Sequence, residues 1–407
     1  MNILFISPYV PNLIRVRPYN FIRHLAKRGN QVTLITLWSE PDEKRDIAEM
    51  RQYCKRVYAY ELTKVRSYSN CVKTLFTADP LQSVYCWHPE AAKEIVTQIQ
   101  SEKYDVVHIE HMRGARYGLE LVNGKKYHRP PIVWDSVDNI SHLFRQASRQ
   151  SQKKTSRLIT SFELRRTEAY EKMLVSRFNH VLVTSSTDRE AFLSLAEDKR
   201  LWKQISVLNN GVDLAYFSPD ESVTRDDHTV VVSGKLSYHA NINMVLFLVN
   251  QIMPQVWLNN PEVRLDIVGK DPPREIIELG KHPKITVTGT VMDLRPYLRQ
   301  AAVAVAPIIY GAGIQNKVLE AMACATPVIS TSKAVSALAV THGENVLVAD
   351  TPQEFAQTIV DLLADPQKRG RIGSAGRQFV EKYHNWSTIT EQLEVIYNCV
   401  LGEHLAV

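Results

Sequence analysis

The chain has 407 residues, of which 44% are hydrophobic and 23% charged, with a formal net charge of +6. Because single cores rarely grow beyond about 250 to 300 residues, two domains of about 200 each are expected, and the composition excludes a fibre or a disordered chain. Five scattered cysteines (Cys54, Cys71, Cys86, Cys324, Cys399) offer neither metal-ligand spacing nor the even count of a disulfide framework, which points to a reducing cytosol.

The opening MNILFISPYVP has no basic leader and too short an apolar run for a signal peptide, and no later run reaches the roughly 18 apolar residues of a membrane span. It reads as the first strand of a parallel sheet. Further short, nearly continuous apolar runs fall at 32–37, 57–60, 106–109, 132–134 and 181–184, as strands buried on both faces should, with helical patterns between them. Arg15 and Arg17 lie in the first loop, where they are candidates for contacting an anion. The basic excess belongs to this N-terminal half, concentrated in 15–28 and 145–157, both of helical pattern. Such a face either stays solvated or contacts an anionic membrane surface; no zinc-finger spacing or RNP-like motif supports nucleic acid.

The run at 106–109 ends in a turn crowded with His108, Glu110, His111 and Arg113. A carboxylate there can orient or deprotonate a hydroxyl, a service worth roughly 10²- to 10⁴-fold in rate. His108 reads equally well as a buried, hydrogen-bonded strand residue. The next strand leads into WDSVDNISHL, where Asp135 and Asp138 are placed either to cap the following helix or to bind ligand hydroxyls.

A break is expected across 208–227, where NNGVD is a turn signal and SPDESVTRDDH is polar and proline-marked. Beyond it the rhythm restarts with runs at 230–232, 265–268, 285–287, 303–306 and 327–330. The fold class is therefore α/β, with two doubly wound Rossmann-like parallel sheets. The expected division is an N-terminal domain over 1–207, a C-terminal domain over 208–385, and a final helix over 386–407.

The most informative stretch is AVAPIIYGAGIQNKVLEAMACATPVIST, residues 304–331. A strand runs into a turn at Gly311 and Gly313, then a helix carrying Lys317 and Glu320, then a second strand. Glycines let backbone N–H groups approach an anion, and a helix N-terminus adds partial positive charge. Lys317 supplies a full charge, and Glu320 can accept hydrogen bonds from two hydroxyls. A diphosphate beside a sugar diol, the grouping of a nucleotide-sugar, fits these elements.

With LNNGVDLAYFSP, VVVSGKLSYHANINMV, LDIVGKDPP and VTGTVMDLRPYL in order before it, this segment resembles the donor half of the family 4 glycosyltransferases, in the subset with a GAGIQNKVLEAMA-type motif. These are retaining enzymes of the GT-B fold, two Rossmann-like domains facing a central cleft. The resemblance implies that Gly234, Lys235, Gly269, Gly289, Thr290, Val291, Gly311, Gly313, Ile314, Gln315, Asn316, Lys317 and Glu320 bind the donor. It implies that the N-terminal domain binds a carbohydrate or lipid-linked acceptor, with Arg15, Arg17, Asp135 and Asp138 as acceptor contacts. His108, Glu110 and His111 are the implied catalytic group, and the final helix is implied to cross back to the N-terminal domain.

Two departures stand out. Relatives often pair an Arg at the place of Lys235 with a Lys six residues later, where this chain has Asn241, so Lys317 is the candidate replacement cation. Of the usual Glu-x7-Glu pair only Glu320 is present; the first position is Ala312. The nucleotide, UDP or GDP, is expected to be read by backbone groups. No metal or other cofactor is expected, since no Asp-x-Asp follows an apolar strand and cations can neutralise a leaving diphosphate. The implied reaction moves a hexose-type unit to an acceptor hydroxyl in polysaccharide or glycoconjugate biosynthesis, in the cytoplasm or at the inner face of the membrane. The competing readings are a catalytically silent nucleotide-sugar-binding partner, a GT-B epimerase and a glycoside phosphorylase.

Overall fold

The computed structural model describes residues 1–124, 129–150, 154–196, 198–310 and 314–405. These fall into two compact units, one of residues 1–209 with 389–407 and one of residues 210–388. Each is built on its own parallel sheet.

The first unit has seven strands: β1 (Asn2–Ser7), β2 (Gln31–Trp38), β3 (Arg56–Glu61), β4 (Val106–Glu110), β5 (Ile132–Val137), β6 (His180–Val183) and β7 (Ile205–Val207). They lie in the order β3-β2-β1-β4-β5-β6-β7, all parallel. The order reverses between β1 and β4, so right-handed crossovers place helices on both faces. That is why the strands read as unbroken apolar runs: Leu4, Ile6, Val107, Ile109, Trp134 and Val181 are each buried in one core. Helix His111–Asn123 packs so closely on the sheet that a Cβ at Gly118 would come within 2.4 Å of Ile109 Cδ1.

The second unit has six strands: β8 (Asp226–Ser233), β9 (Arg264–Val268), β10 (Ile285–Gly289), β11 (Ala301–Ala306), β12 (Val328–Ser330) and β13 (Leu347–Val348). Their order, β10-β9-β8-β11-β12-β13, repeats the same reversal between β8 and β11. Ligands of open parallel sheets sit outside the carboxyl ends of the strands at such a reversal. Gly211 of the NNGVD turn is required by packing, because a Cβ there would meet the Trp386 ring at 2.7 Å.

The last helix, Trp386–Leu405, belongs from Ile389 onward to the first unit. Leu393, Tyr397 and Val400 are buried there. Glu394 accepts hydrogen bonds at 2.5 Å from both Arg28 Nε and Asn30 Nδ2. Among the described residues no helix is long and apolar enough to cross a membrane.

The stretch 15–28 differs from the expected cationic face. It contains helix Val16–Lys27, whose Arg17, Tyr19, Phe21, Ile22 and Leu25 are buried. Three of its charges are paired internally, Arg15 with Glu43 at 2.7 Å, Arg17 with Asp135 at 2.7 Å and Arg28 with Glu394, while Lys27 stays exposed. The second basic stretch spans the end of helix Ile140–Gln150 and the start of helix Lys154–Arg177, with 151–153 outside the described residues.

Candidate functional site

In the second unit, β8 ends at Ser233 and the chain turns through Gly234, whose φ of 149° lies where glycine is favoured. The Gly234 N–H donates to Val268 O at 3.1 Å, and a Cβ at Gly269 would fall 1.8 Å from Gly234 O. Both glycines are therefore needed for the two strand ends to cross at contact distance. Lys235 is exposed, and its carbonyl accepts from Asn241 Nδ2 at 2.9 Å. Asn241, standing where relatives often carry a cation, thus braces the Gly234 turn. Gly289 ends β10 with a φ of 66°, followed by an exposed Thr290 and a half-buried Val291.

Across the reversal, β11 leads past Tyr310 to helix Asn316–Ala323. Gly311, Ala312 and Gly313 lie outside the described residues, and Ile314 is the next residue described. Lys317 leans back toward β8, its Cε within 3.3 Å of where a Gly234 Cβ would be, and Nζ donates to Gln315 Oε1 at 3.0 Å. Burial lowers the Lys317 ammonium to about 8 and Glu320 raises it; burial pushes the Glu320 carboxyl up to about 7 against the pull of Lys317. Asn316 Oδ1, in the same first helical turn, is buried with no hydrogen-bond partner. A cation, a carboxylate one turn on, an unspent acceptor and a helix N-terminus thus converge on one switch point. Tyr310 was missed at the sequence level: its hydroxyl accepts from Asn243 Nδ2 at 2.6 Å and meets His239 Nδ1 at 2.7 Å. Its only sequence signal was an aromatic at the edge of a glycine turn.

In the first unit four of the implied catalytic and acceptor residues, Arg17, His108, Glu110 and Asp135, form one buried cluster at the ends of β4 and β5. Arg17 Nε donates to Asp135 Oδ2 at 2.7 Å, and Arg17 Nη1 donates to Leu208 O at 2.9 Å. His108 Nε2 lies 3.8 Å from both Glu110 Oε2 and Asp135 Oδ2. Its Nδ1 shares a 2.8 Å hydrogen bond with Tyr397 of the last helix. Burial lowers the His108 imidazole to about 4, so it is neutral, and burial raises the Glu110 carboxyl to about 7 against the attraction of Arg17. Glu110 Oε2 has no hydrogen-bond partner. A carboxyl poised near neutrality with an unspent oxygen is suited to taking a proton. His108, Glu110 and Asp135 each offer a ligand atom within 4.8 Å of the others, a set that could hold a metal, although the Arg17 guanidinium already lies against Asp135.

Backbone strain marks the same strand ends. His111 has φ 62° and Val137 φ 69°, the latter a β-branched residue in the left-handed region, a cost of about 1 to 3 kcal/mol. Neither Asp135 nor Asp138 caps helix Ile140–Gln150: Asn139 Oδ1 accepts from His142 N at 2.7 Å, and Glu171 accepts from Ile140 N at 2.8 Å. Asp138 is instead raised to about 7, chiefly by burial and then by Asp188. Arg15, apart from this cluster, lines a recess of about 270 Å³ at the ends of β1 and β2, with Tyr9, Lys64, Ser67 and Arg113.

Comparison with known proteins bears on both halves. Residues 15–216 match the model of Glycosyltransferase Family 4, and residues 227–365 match that of Glycosyl transferases group 1. The lipopolysaccharide core biosynthesis mannosyltransferase LpcC of Rhizobium leguminosarum bv. viciae is 25% identical over 302 residues, covering 68% of this chain and 82% of that one. Among solved structures, sucrose-phosphate synthase from Thermosynechococcus elongatus superposes with TM-score 0.71 at 20% identity, over 99% of this chain and 100% of that chain. Anabaena Alr3699/HepE in complex with UDP and glucose superposes with TM-score 0.67 at 16% identity, over 98% and 100%. With the two sheets in this order and glycosyltransferase models matching both halves, the chain belongs to the glycosyltransferases of GT-B type.

Proposed function

We propose that the protein is a retaining glycosyltransferase that moves a hexose unit from a UDP- or GDP-sugar to a hydroxyl of a carbohydrate or lipid-linked acceptor, in polysaccharide or glycoconjugate assembly. One observation carries the reading: Lys317 leaning on Gly234, with Glu320 one turn further along the same helix, at the β8/β11 reversal. Lys317, Lys235 and the first turn of helix Asn316–Ala323 receive the diphosphate, and Glu320 takes the ribose diol. The anomeric C–O bond breaks toward that diphosphate, and the charge it gains falls on the Lys317 ammonium. The acceptor oxygen forms its bond on the face being vacated, which retains configuration, and its proton leaves to a departing phosphate oxygen. The relatives support the class: LpcC is a mannosyltransferase of lipopolysaccharide core biosynthesis, and HepE is seen in complex with UDP and glucose.

The test is turnover. Purified protein, treated with EDTA and given each nucleotide-sugar with membrane-lipid and oligosaccharide acceptors, should release nucleoside diphosphate in an acceptor-dependent manner and form a product of retained anomeric configuration. Donor binding without release under any acceptor would replace the reading by the silent-partner one, and release restored only by Mn²⁺ would overturn the metal-free part.

A further inference from the structure

Helix Lys64–Thr74 is amphipathic with its faces reversed. Ser67 and Thr74 are buried, whereas Val65 is 78% exposed, Tyr68 64%, Val72 60% and, just past its end, Phe76 94%. Steps of three and four residues from 65 through 68 and 72 to 75 and 76 put these side chains on one stripe, and Leu75 is exposed as well. Surface helices normally turn such a stripe inward. Here the polar face is held inward by specific bonds: Asn70 Nδ2 donates to Trp87 O at 2.9 Å, and Arg166 Nη2 donates to Thr74 O at 2.7 Å. Rotating the helix to bury the stripe would break both. Scattered single exposed apolar residues need no explanation, but a contiguous stripe does.

The charge around it decides the occupant. Arg66 and Lys73 lie on the helix beside Lys64, which pairs with Glu40 at 3.3 Å, and no acidic residue occurs between Glu61 and Asp79. Arg66, Lys73 and Arg116 also line an adjoining recess of about 660 Å³. An apolar stripe with aromatic Tyr68 and Phe76, edged by cations, matches a lipid surface with anionic headgroups. A second copy of the chain would bring the same cations against themselves.

We propose that helix Lys64–Thr74, continued by Leu75 and Phe76, docks the protein on an anionic bilayer, with the stripe among the acyl chains and the cations at the headgroups. Ser67, on the inner side of this helix, and Lys64, at its exposed start, line the recess that Arg15 and Arg113 also line. A lipid-linked acceptor would then reach that recess from the surface on which the protein rests; only this last step rests on the sugar-transfer reading.

Flotation of the full chain with vesicles of phosphatidylcholine alone, and of phosphatidylcholine with phosphatidylglycerol, tests the docking separately from catalysis. The wild type should float with the anionic vesicles only. Val72→Ser with Phe76→Ser, and Arg66→Glu with Lys73→Glu, should each lower the bound fraction at least about tenfold, while Leu258→Ser, an exposed residue of the second unit, should not change it. Melting temperatures and donor affinities should stay as in the wild type for all three. Absence of binding to anionic vesicles, or binding unaffected by both paired variants, would overturn the proposal. So would a dimer in sedimentation equilibrium that Val72→Ser with Phe76→Ser disperses, since the stripe would then belong to a second copy.

Discussion

Lys317 and Glu320 hold each other in an unusual state. Each is shifted toward neutrality by burial and pulled back by the other, so near pH 7 the ammonium is charged while the carboxyl is about half ionised. A diol needs the carboxylate and a diphosphate needs the ammonium. Donor affinity is therefore expected to rise as pH passes about 7 and to fall as it passes about 8, with Glu320→Gln flattening the acid limb and Lys317→Ala the alkaline limb; calorimetric dissociation constants from pH 6 to 9 check this. A pH-independent constant would mean that neither group meets the ligand. The sequence disclosed these two residues because a Lys and a Glu in an otherwise apolar helical run have few structural uses. It could not disclose Asn241 as a brace or the pairing of Arg17 with Asp135, since those depend on chain segments brought together only by the sheet, 118 residues apart in the second case.

Elements were legible where periodicity was strong. Every strand run coincides with a parallel strand, with only Thr184 and Pro327 falling one residue outside, because burial on both faces leaves an unbroken apolar signature. Helix ends and orientations were less so: the capping of helix Ile140–Gln150 went to Asn139 and Glu171 because Asp135 was taken by Arg17. The alternation in helix Lys64–Thr74 was visible in the letters, but a pattern does not say which face is inside. The last helix shows the opposite case. Its sequence is apolar enough to dock, yet the contact that fixes it, Tyr397 on His108, spans 289 residues. Tyr397→Phe removes that bond and leaves a buried ring nitrogen unpaired, so the first unit should lose about 1 to 3 kcal/mol. Urea denaturation followed by circular dichroism and tryptophan fluorescence measures it, and an unchanged midpoint would show that the helix is held by packing alone.

At the scale of the whole molecule, the many buried ionisable groups set a pH profile. Glu110, Asp138 and Glu171 are raised to about 7, 7 and 8, mainly by burial, so the folded protein keeps protons that the unfolded chain releases. Their contribution is complete below the ordinary carboxylate range and is lost as pH climbs through 7 to 8. His108 and His180, lowered to about 4 by burial, act oppositely: their contribution is present above 6.5 and is lost as pH falls through 4. The two sets offset each other in mild acid, and between about pH 6.5 and 8 the carboxylates act alone, since the Lys317 ammonium, lowered to about 8, adds its opposing contribution only above that. Melting temperature should therefore decline from about pH 6.5 to 8, less steeply in Glu171→Gln; a flat or rising profile over that range would contradict the assignment. The central claim, that the β8/β11 reversal holds a nucleoside diphosphate sugar, is tested most directly by calorimetric titration of UDP-, GDP-, ADP- and dTDP-sugars into the wild type and Glu320→Ala. One donor should bind with a submillimolar constant that weakens by about 2 to 4 kcal/mol in the variant. Binding of none, or equal binding by both proteins, would contradict it.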